Sequence, residues 1–211
     1  GEYPLAAQGS GSYGDGIVIA ILDTGVDNEH RSLNDMDDVD DAPNLDASTY
    51  DDRKFIAGFD ATDTFGNPQR DGTDDPDDSS GHGTHVAGSA LGTGGPNRTH
   101  RGIAPAAGLV DVKVLTDLGN SNSDSTLQGL QWVIDNKDTV WTDANTSMRG
   151  IDIVSMSLGS QSFGSPLGDT GDNGSAASSR LVDQAVGEGL IVLCAMGNDG
   201  ESADRFVPAP A

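Results

Sequence analysis

The stretch Gly16-Ile-Val-Ile-Ala-Ile-Leu-Asp23, continuing into Thr24-Gly-Val-Asp27, decides the fold. An unbroken apolar run rich in β-branched residues, bounded by Gly and a polar turn, reads as a strand buried on both faces. Related runs lie at Leu109–Leu115, Ile151–Met156 and Gly189–Ala195. Helical patterns fall between them: His82–Leu91, Ser123–Asn136 with Ser123 or Asp124 as N-cap, and Ser175–Glu188 stopping at Gly187 or Gly189. Strands alternating with helices predict an α/β fold in three layers, a mostly parallel β-sheet with helices on both faces. Ligands of such sheets sit beyond the carboxyl ends of the strands. Asp23, Ser157 and Asn198 each follow a predicted strand and are expected at one crevice.

Composition narrows the function classes. The chain has 211 residues, 34 acidic and 11 basic, for a net charge of −23. Hydrophobic residues make up 35%, with 29 glycines besides, which is a globular share and argues against disorder. No apolar run reaches the roughly 18 residues of a membrane helix, so no membrane insertion is expected. Gly1-Glu2-Tyr3-Pro4 has neither the basic nor the apolar region of a signal peptide, as a trimmed N-terminus also would not. A pI near 4.1 argues against nucleic acid as a partner. The single Cys194 forms neither an internal disulfide nor a cysteine-built metal site, and reads as a small buried hydrophobe.

The acid is 30 Asp and only 4 Glu, against 3 Lys and 8 Arg. It clusters at Asp35–Asp41, Asp51-Asp52 and Asp71–Asp78. The reading preferred here is adaptation to high salt, which screens self-repulsion. Solvated acidic loops are the bland alternative. Calcium is a third, since Asp71–Asp78 has a calcium loop's composition without the spacing and closing Glu of an EF-hand.

Three strings carry chemistry. Asp23-Thr-Gly puts a carboxylate at a strand end; the same triplet occurs in aspartic proteases, but one copy would need a homodimer to form their dyad. Gly81-His-Gly-Thr-His-Val-Ala-Gly88 starts a helix with His82 between glycines that leave room for a substrate backbone. Its His82 and His85 are spaced i, i+3 with no Glu between, unlike a zinc helix. Ala195-Met-Gly-Asn-Asp-Gly200 offers the Asn198 amide to an oxyanion, although an Asn in a tight turn is common.

In the order Asp, His, Asn, and with Ser155-Met-Ser-Leu-Gly159, Gly102-Ile-Ala-Pro105 and Val112-Lys-Val-Leu115, the chain resembles the subtilisin-like serine peptidases from about Tyr13 onward. The resemblance implies a subtilisin-like domain and peptide-bond hydrolysis through an acyl-enzyme. Asp23 would orient the imidazole, His82 would be general base and then acid, and Asn198 would supply the side-chain half of the oxyanion hole. Gly119, Asn120 and Ser121 on one side, and Ser157, Leu158 and Gly159 on the other, would hold an extended polypeptide substrate by strand addition. It further implies secretion, a possible propeptide, a monomer when complete, and structural calcium (Ca2+), for which Asp74, Asp75, Asp77 and Asp78 are candidates. Ser32 stands where many members place a calcium-binding Asp.

One part of the pattern is missing. The family's nucleophile lies downstream of the oxyanion Asn in a Gly-Thr-Ser-Met-Ala string, and none follows Asn198 before Ala211. Asn145-Thr-Ser-Met-Arg149 imitates that string but precedes Asn198, lacks the leading Gly and places Arg149 where Ala belongs, so Ser147 reads as part of a surface insertion. Residues 1–211 are therefore expected to be a single peptidase domain truncated before its serine and inactive alone. The alternative is a catalytically dead peptide-binding module.

Overall fold

The side chains of β1 (Val18–Asp23) alternate between two apolar clusters. Val18, Ala20 and Leu22 enter one; Ile19 and Ile21 enter the other. A strand buried on both faces must lie inside a sheet covered on both sides, and β1 does. The computed structural model describes residues 11–33, 54–62, 76–95, 99–120, 123–141, 148–159 and 174–195. The further elements are β2 (Phe55–Asp60), α1 (His82–Leu91), β3 (Gly108–Lys113), α2 (Ser123–Asn136), β4 (Ile153–Met156), α3 (Ala177–Gly187) and β5 (Ile191–Cys194). The sheet order is β2-β3-β1-β4-β5, with every pairing parallel.

The two clusters define the three layers. Ala87 and Leu91 of α1 pack on Ile19, Ile21 and Leu109. Leu130, Val133 and Ile134 of α2 and Ala185 of α3 pack on the opposite face, against Val18, Leu22, Val110, Val112 and Val154. Fully burying one such aliphatic side chain contributes about 1.5–3 kcal/mol relative to leaving it exposed.

Both α1 and α2 keep their predicted bounds, while α3 starts two residues later than its pattern. Ser123 and Asp124 are the first two residues of α2. No strand is predicted at Phe55–Asp60, yet β2 forms there. Its pairing with β3 is irregular between Phe55 and Ala57, and Gly58 interrupts the apolar pattern. A distant contact supports it instead: Phe59 stacks on Trp132 of α2, ring centroids 5.4 Å apart. At the other end of the described sheet, Ile191 and Leu193 of β5 expose one apolar face, each 58% accessible.

Parallel pairing brings the carboxyl ends of the strands together. Asp23 is in register with Lys113, and Leu22 with Met156. Ser157, one residue further, therefore comes level with Asp23. Ala195 donates its N–H to the Met156 carbonyl at 3.0 Å, so the chain leaves β5 at the same end.

Candidate active site

Asp23 is fully buried at the end of β1, and His82 is the first residue of α1. The imidazole Nδ1 lies 2.7 Å from Asp23 Oδ1. The same oxygen accepts the Thr24 backbone N–H at 2.8 Å. With Nδ1–H donating to the carboxylate, Nε2 is left as the basic nitrogen. The His82 side chain is 54% exposed whereas Asp23 is 0% exposed, so the acid is shielded and the base reaches outward.

Two glycines let the elements approach this closely. A Cβ on Gly83 would sit 2.0 Å from the Gly25 carbonyl oxygen and 3.1 Å from Asp23 Cβ. The sequence reading gave Gly83 to substrate clearance; the structure gives it to the joint between α1 and the Asp23 loop. Gly25 has φ +99°, and its Cβ would lie 2.4 Å from the Asp77 carbonyl oxygen. A β-carbon is strained in that conformation and has no room.

Polar contacts hold the loop from both sides. From β3, Asp111 Oδ2 accepts the Val26 N–H at 2.9 Å, and the fully buried Lys113 donates to the Thr24 carbonyl and, at 2.9 Å, to Asp117. On the helix side, Asp78 Oδ1 accepts from Thr24 Oγ1 (2.8 Å), Ser80 N (3.0 Å) and Gly81 N (2.9 Å). Its Oδ2 accepts from Thr84 N (2.9 Å) and Thr84 Oγ1 (2.6 Å). Burial works to raise the Asp78 carboxyl pKa, but the hydrogen bonds from Thr84, Gly81 and Thr24 together outweigh it and hold the group below its usual 3.8.

This bears on the calcium expectation. Both Asp78 oxygens are committed to N–H and O–H donors, which suits a helix cap and does not suit a cation ligand. Asp77 is half-buried beside Gly25, and Asp74 and Asp75 lie outside the described residues. Among the described residues no cluster of His, Cys, Asp and Glu is arranged to hold a metal.

The other candidates divide similarly. Gly119 and Asn120 are exposed and close a turn on Thr116, whose N–H donates to the Asn120 carbonyl at 2.8 Å; Ser121 lies outside the described residues. Ser157 and Leu158 are half-buried and Gly159 is exposed, just past β4. Asn198 lies outside the described residues, three positions beyond Ala195. Ser147 does too. His85 is exposed and makes no pair with His82. Cys194 is half-buried, and burial pushes its thiol pKa up, away from a reactive thiolate.

Comparison with known proteins gives the family and the fold. The chain belongs to the Subtilase family, whose profile matches residues 14–211. It is 30% identical over 197 residues to subtilisin E of Bacillus subtilis, covering 93% of this chain and 38% of that protein. It is 32% identical over 195 residues to an intracellular serine protease of Paenibacillus polymyxa, covering 91% and 44%. A crystal structure of a cold-adapted subtilisin-like serine proteinase superposes with a TM-score of 0.58 at 25% identity, covering 90% of this chain and 50% of that one. The chain thus spans less than half the length of the curated relatives named here. No helix among the described residues is long and apolar enough to cross a membrane.

Proposed function

We propose that this chain is the N-terminal and central part of a serine endopeptidase domain whose nucleophile is supplied by sequence following Ala211. The observation that carries the reading is the 2.7 Å contact between a fully buried Asp23 and a half-exposed His82. In the complete protein the His82 Nε2 takes the proton of the serine hydroxyl as it attacks the scissile carbonyl. It then gives the proton to the leaving amine, and water releases the acyl group by the same route. Asp23 keeps Nδ1 protonated and stabilises the imidazolium. Asn198 donates its amide to the oxyanion, a contact whose loss costs about 3–4 kcal/mol of transition-state stabilisation. Segments 119–121 and 157–159 flank an extended polypeptide substrate and bind its main chain.

On this reading the chain by itself is inactive, and the exposed Ile191–Leu193 face of β5 is where the remaining domain packs. The parent protein is exported and works as a monomer when complete; a propeptide is a further expectation from the family. The charge of −23 reflects work in high salt. Calcium, which in this family is structural, is assigned no ligands, and Asp78 is withdrawn as one.

The test is to extend the gene past the codon for Ala211, express the whole protein and assay peptide hydrolysis in molar salt. A Gly-Thr-Ser-Met-Ala string, with hydrolysis abolished by His82→Ala and by alanine at that serine, is the expected result. A stop codon, or hydrolysis indifferent to His82→Ala, overturns the proposal and leaves a peptide-binding module as the reading to test.

A further inference from the structure

We propose that Asp78 is a positioning residue that holds His82 on Asp23, acting through Thr24 and the first turn of α1. This rests on the catalytic reading of the Asp23–His82 pair.

A helix leaves its first N–H groups without intrahelical partners. Here the residue at the N-cap position is Gly81, which has no side chain to satisfy them, and the first turn carries no acidic residue. The acceptors come from outside the helix. Thr84 N–H goes to Asp78 Oδ2, and Gly83 N–H goes to Thr24 Oγ1, each at 2.9 Å. The second is the decisive one. A threonine hydroxyl has one proton and rotates unless that proton is engaged. Asp78 Oδ1 engages it at 2.8 Å, which turns a lone pair toward Gly83 N–H, the peptide directly after His82.

Thr24 is therefore fixed at every polar atom. Its N–H donates to Asp23 Oδ1, its hydroxyl bridges Asp78 and Gly83, and its carbonyl accepts from Lys113. It is also 1% exposed, so no solvent competes for those contacts. The route from Asp78 to the pair is short: from the carboxylate to the Thr24 hydroxyl, then to the helix backbone on one side and the Asp23 carboxylate on the other. A second bridge runs parallel, since Thr84 Oγ1 donates to Asp78 Oδ2 and accepts the Asp27 N–H at 2.9 Å. Asp78 thus ties α1 to the loop after β1 at two points, Gly83 with Thr24 and Thr84 with Asp27, just after His82 and Asp23 in the chain. Contacts to a charged acceptor are the stronger kind of hydrogen bond, which suits a clamp on a half-exposed imidazole.

The readout is the tautomer of His82, measured by long-range proton–nitrogen correlation NMR on the 211-residue chain, with the His82 signals assigned by their loss in His82→Gln. Wild type is expected in the form protonated at Nδ1 with Nε2 bare. Asp78→Ala is expected to lower the ratio of Nδ1–H to Nε2–H forms about tenfold, the worth of one oriented bond to a charged group. Thr24→Val, which removes the bridge and the Gly83 acceptor but leaves the Asp78 bonds to Ser80, Gly81 and Thr84, is expected to do the same, and Thr24→Ser to restore the wild-type signature. A folded Asp78→Ala chain with the wild-type tautomer ratio overturns the proposal. If Asp78→Ala does not fold, Thr24→Val decides: an unchanged ratio there overturns the proposal equally. A contribution to stability alone lowers the unfolding midpoint and leaves the tautomer untouched. Because turnover is not measured, an inactive complete protein would defeat the peptidase reading without touching this result.

Discussion

Replacing Gly83 by alanine inserts one methyl group into the joint between α1 and the Asp23 loop. Its Cβ would lie 2.0 Å from the Gly25 carbonyl oxygen, about 1.5 Å inside a comfortable contact of roughly 3.5 Å. The obstacle is backbone and not the end of a flexible side chain, so the helix start has to recoil. A recoil of about 1 Å along the contact stretches the 2.7 Å bond from His82 to Asp23 to about 3.7 Å, which is no longer a hydrogen bond. Overpacking of this kind costs about 1–3 kcal/mol of stability, and misplacing a catalytic group by about 1 Å costs on the order of 10²-fold in rate. The assay pairs the denaturant midpoint of the 211-residue chain with kcat of the complete protein. Gly88→Ala is the control: it lies on the same helix, its Cβ would meet nothing within 4 Å, and helix propensity makes it neutral or stabilising by up to about 1 kcal/mol. If Gly83→Ala behaved like Gly88→Ala in both measurements, the close approach would not be what positions His82.

Lys113→Met removes a fully buried ammonium and leaves the Thr24 carbonyl and Asp117 without their donor; a loss of about 3 kcal/mol is expected in equilibrium denaturation, and a loss under about 1 kcal/mol would contradict the clamp on the loop. The Asp78 pKa is depressed in the fold, so its contribution to stability is present above the unfolded value of 3.8 and is lost as pH falls through the lower folded value. Comparing midpoints at about pH 6 and about pH 3, wild type should lose more stability than Asp78→Asn, and parallel losses would refute that cause. With a charge of −23, the thermal midpoint should rise as sodium chloride goes from about 0.1 to about 3 M, because the screening length shrinks from about 10 Å to under 3 Å. A flat or falling midpoint rules out the salt-adaptation reading.

Much of this arrangement was legible in the residue order. Unbroken apolar runs marked β1 and β5, and small and apolar periodicity gave α1 and α2 their bounds. The pairing of Asp23 with His82 was implied by the resemblance to the subtilisin-like peptidases. β2 escaped because it is held by Trp132 stacking on Phe59, a contact between residues far apart in sequence, while its own pattern is broken at Gly58. The part Asp78 plays at the start of α1 was not legible because composition sees an acidic run and not which donors face each carboxylate. An Asp ahead of Ser-Ser-Gly at a helix start is itself a capping signal, and weighting it above the charge count would have found the role.

The sequence by itself determined the class of fold, because hydrophobic periodicity is a local property of the chain, and its resemblance to the subtilisin-like peptidases singled out Asp23 and His82. Only the tertiary structure decided how they meet. Asp23 and His82 are 59 positions apart, and their 2.7 Å contact depends on Gly83 lying against Gly25, Lys113 reaching the Thr24 carbonyl, and Asp78 turning the Thr24 hydroxyl toward the helix. Each is a distance between segments that touch only after the sheet has formed, and close packing in three dimensions sets such distances.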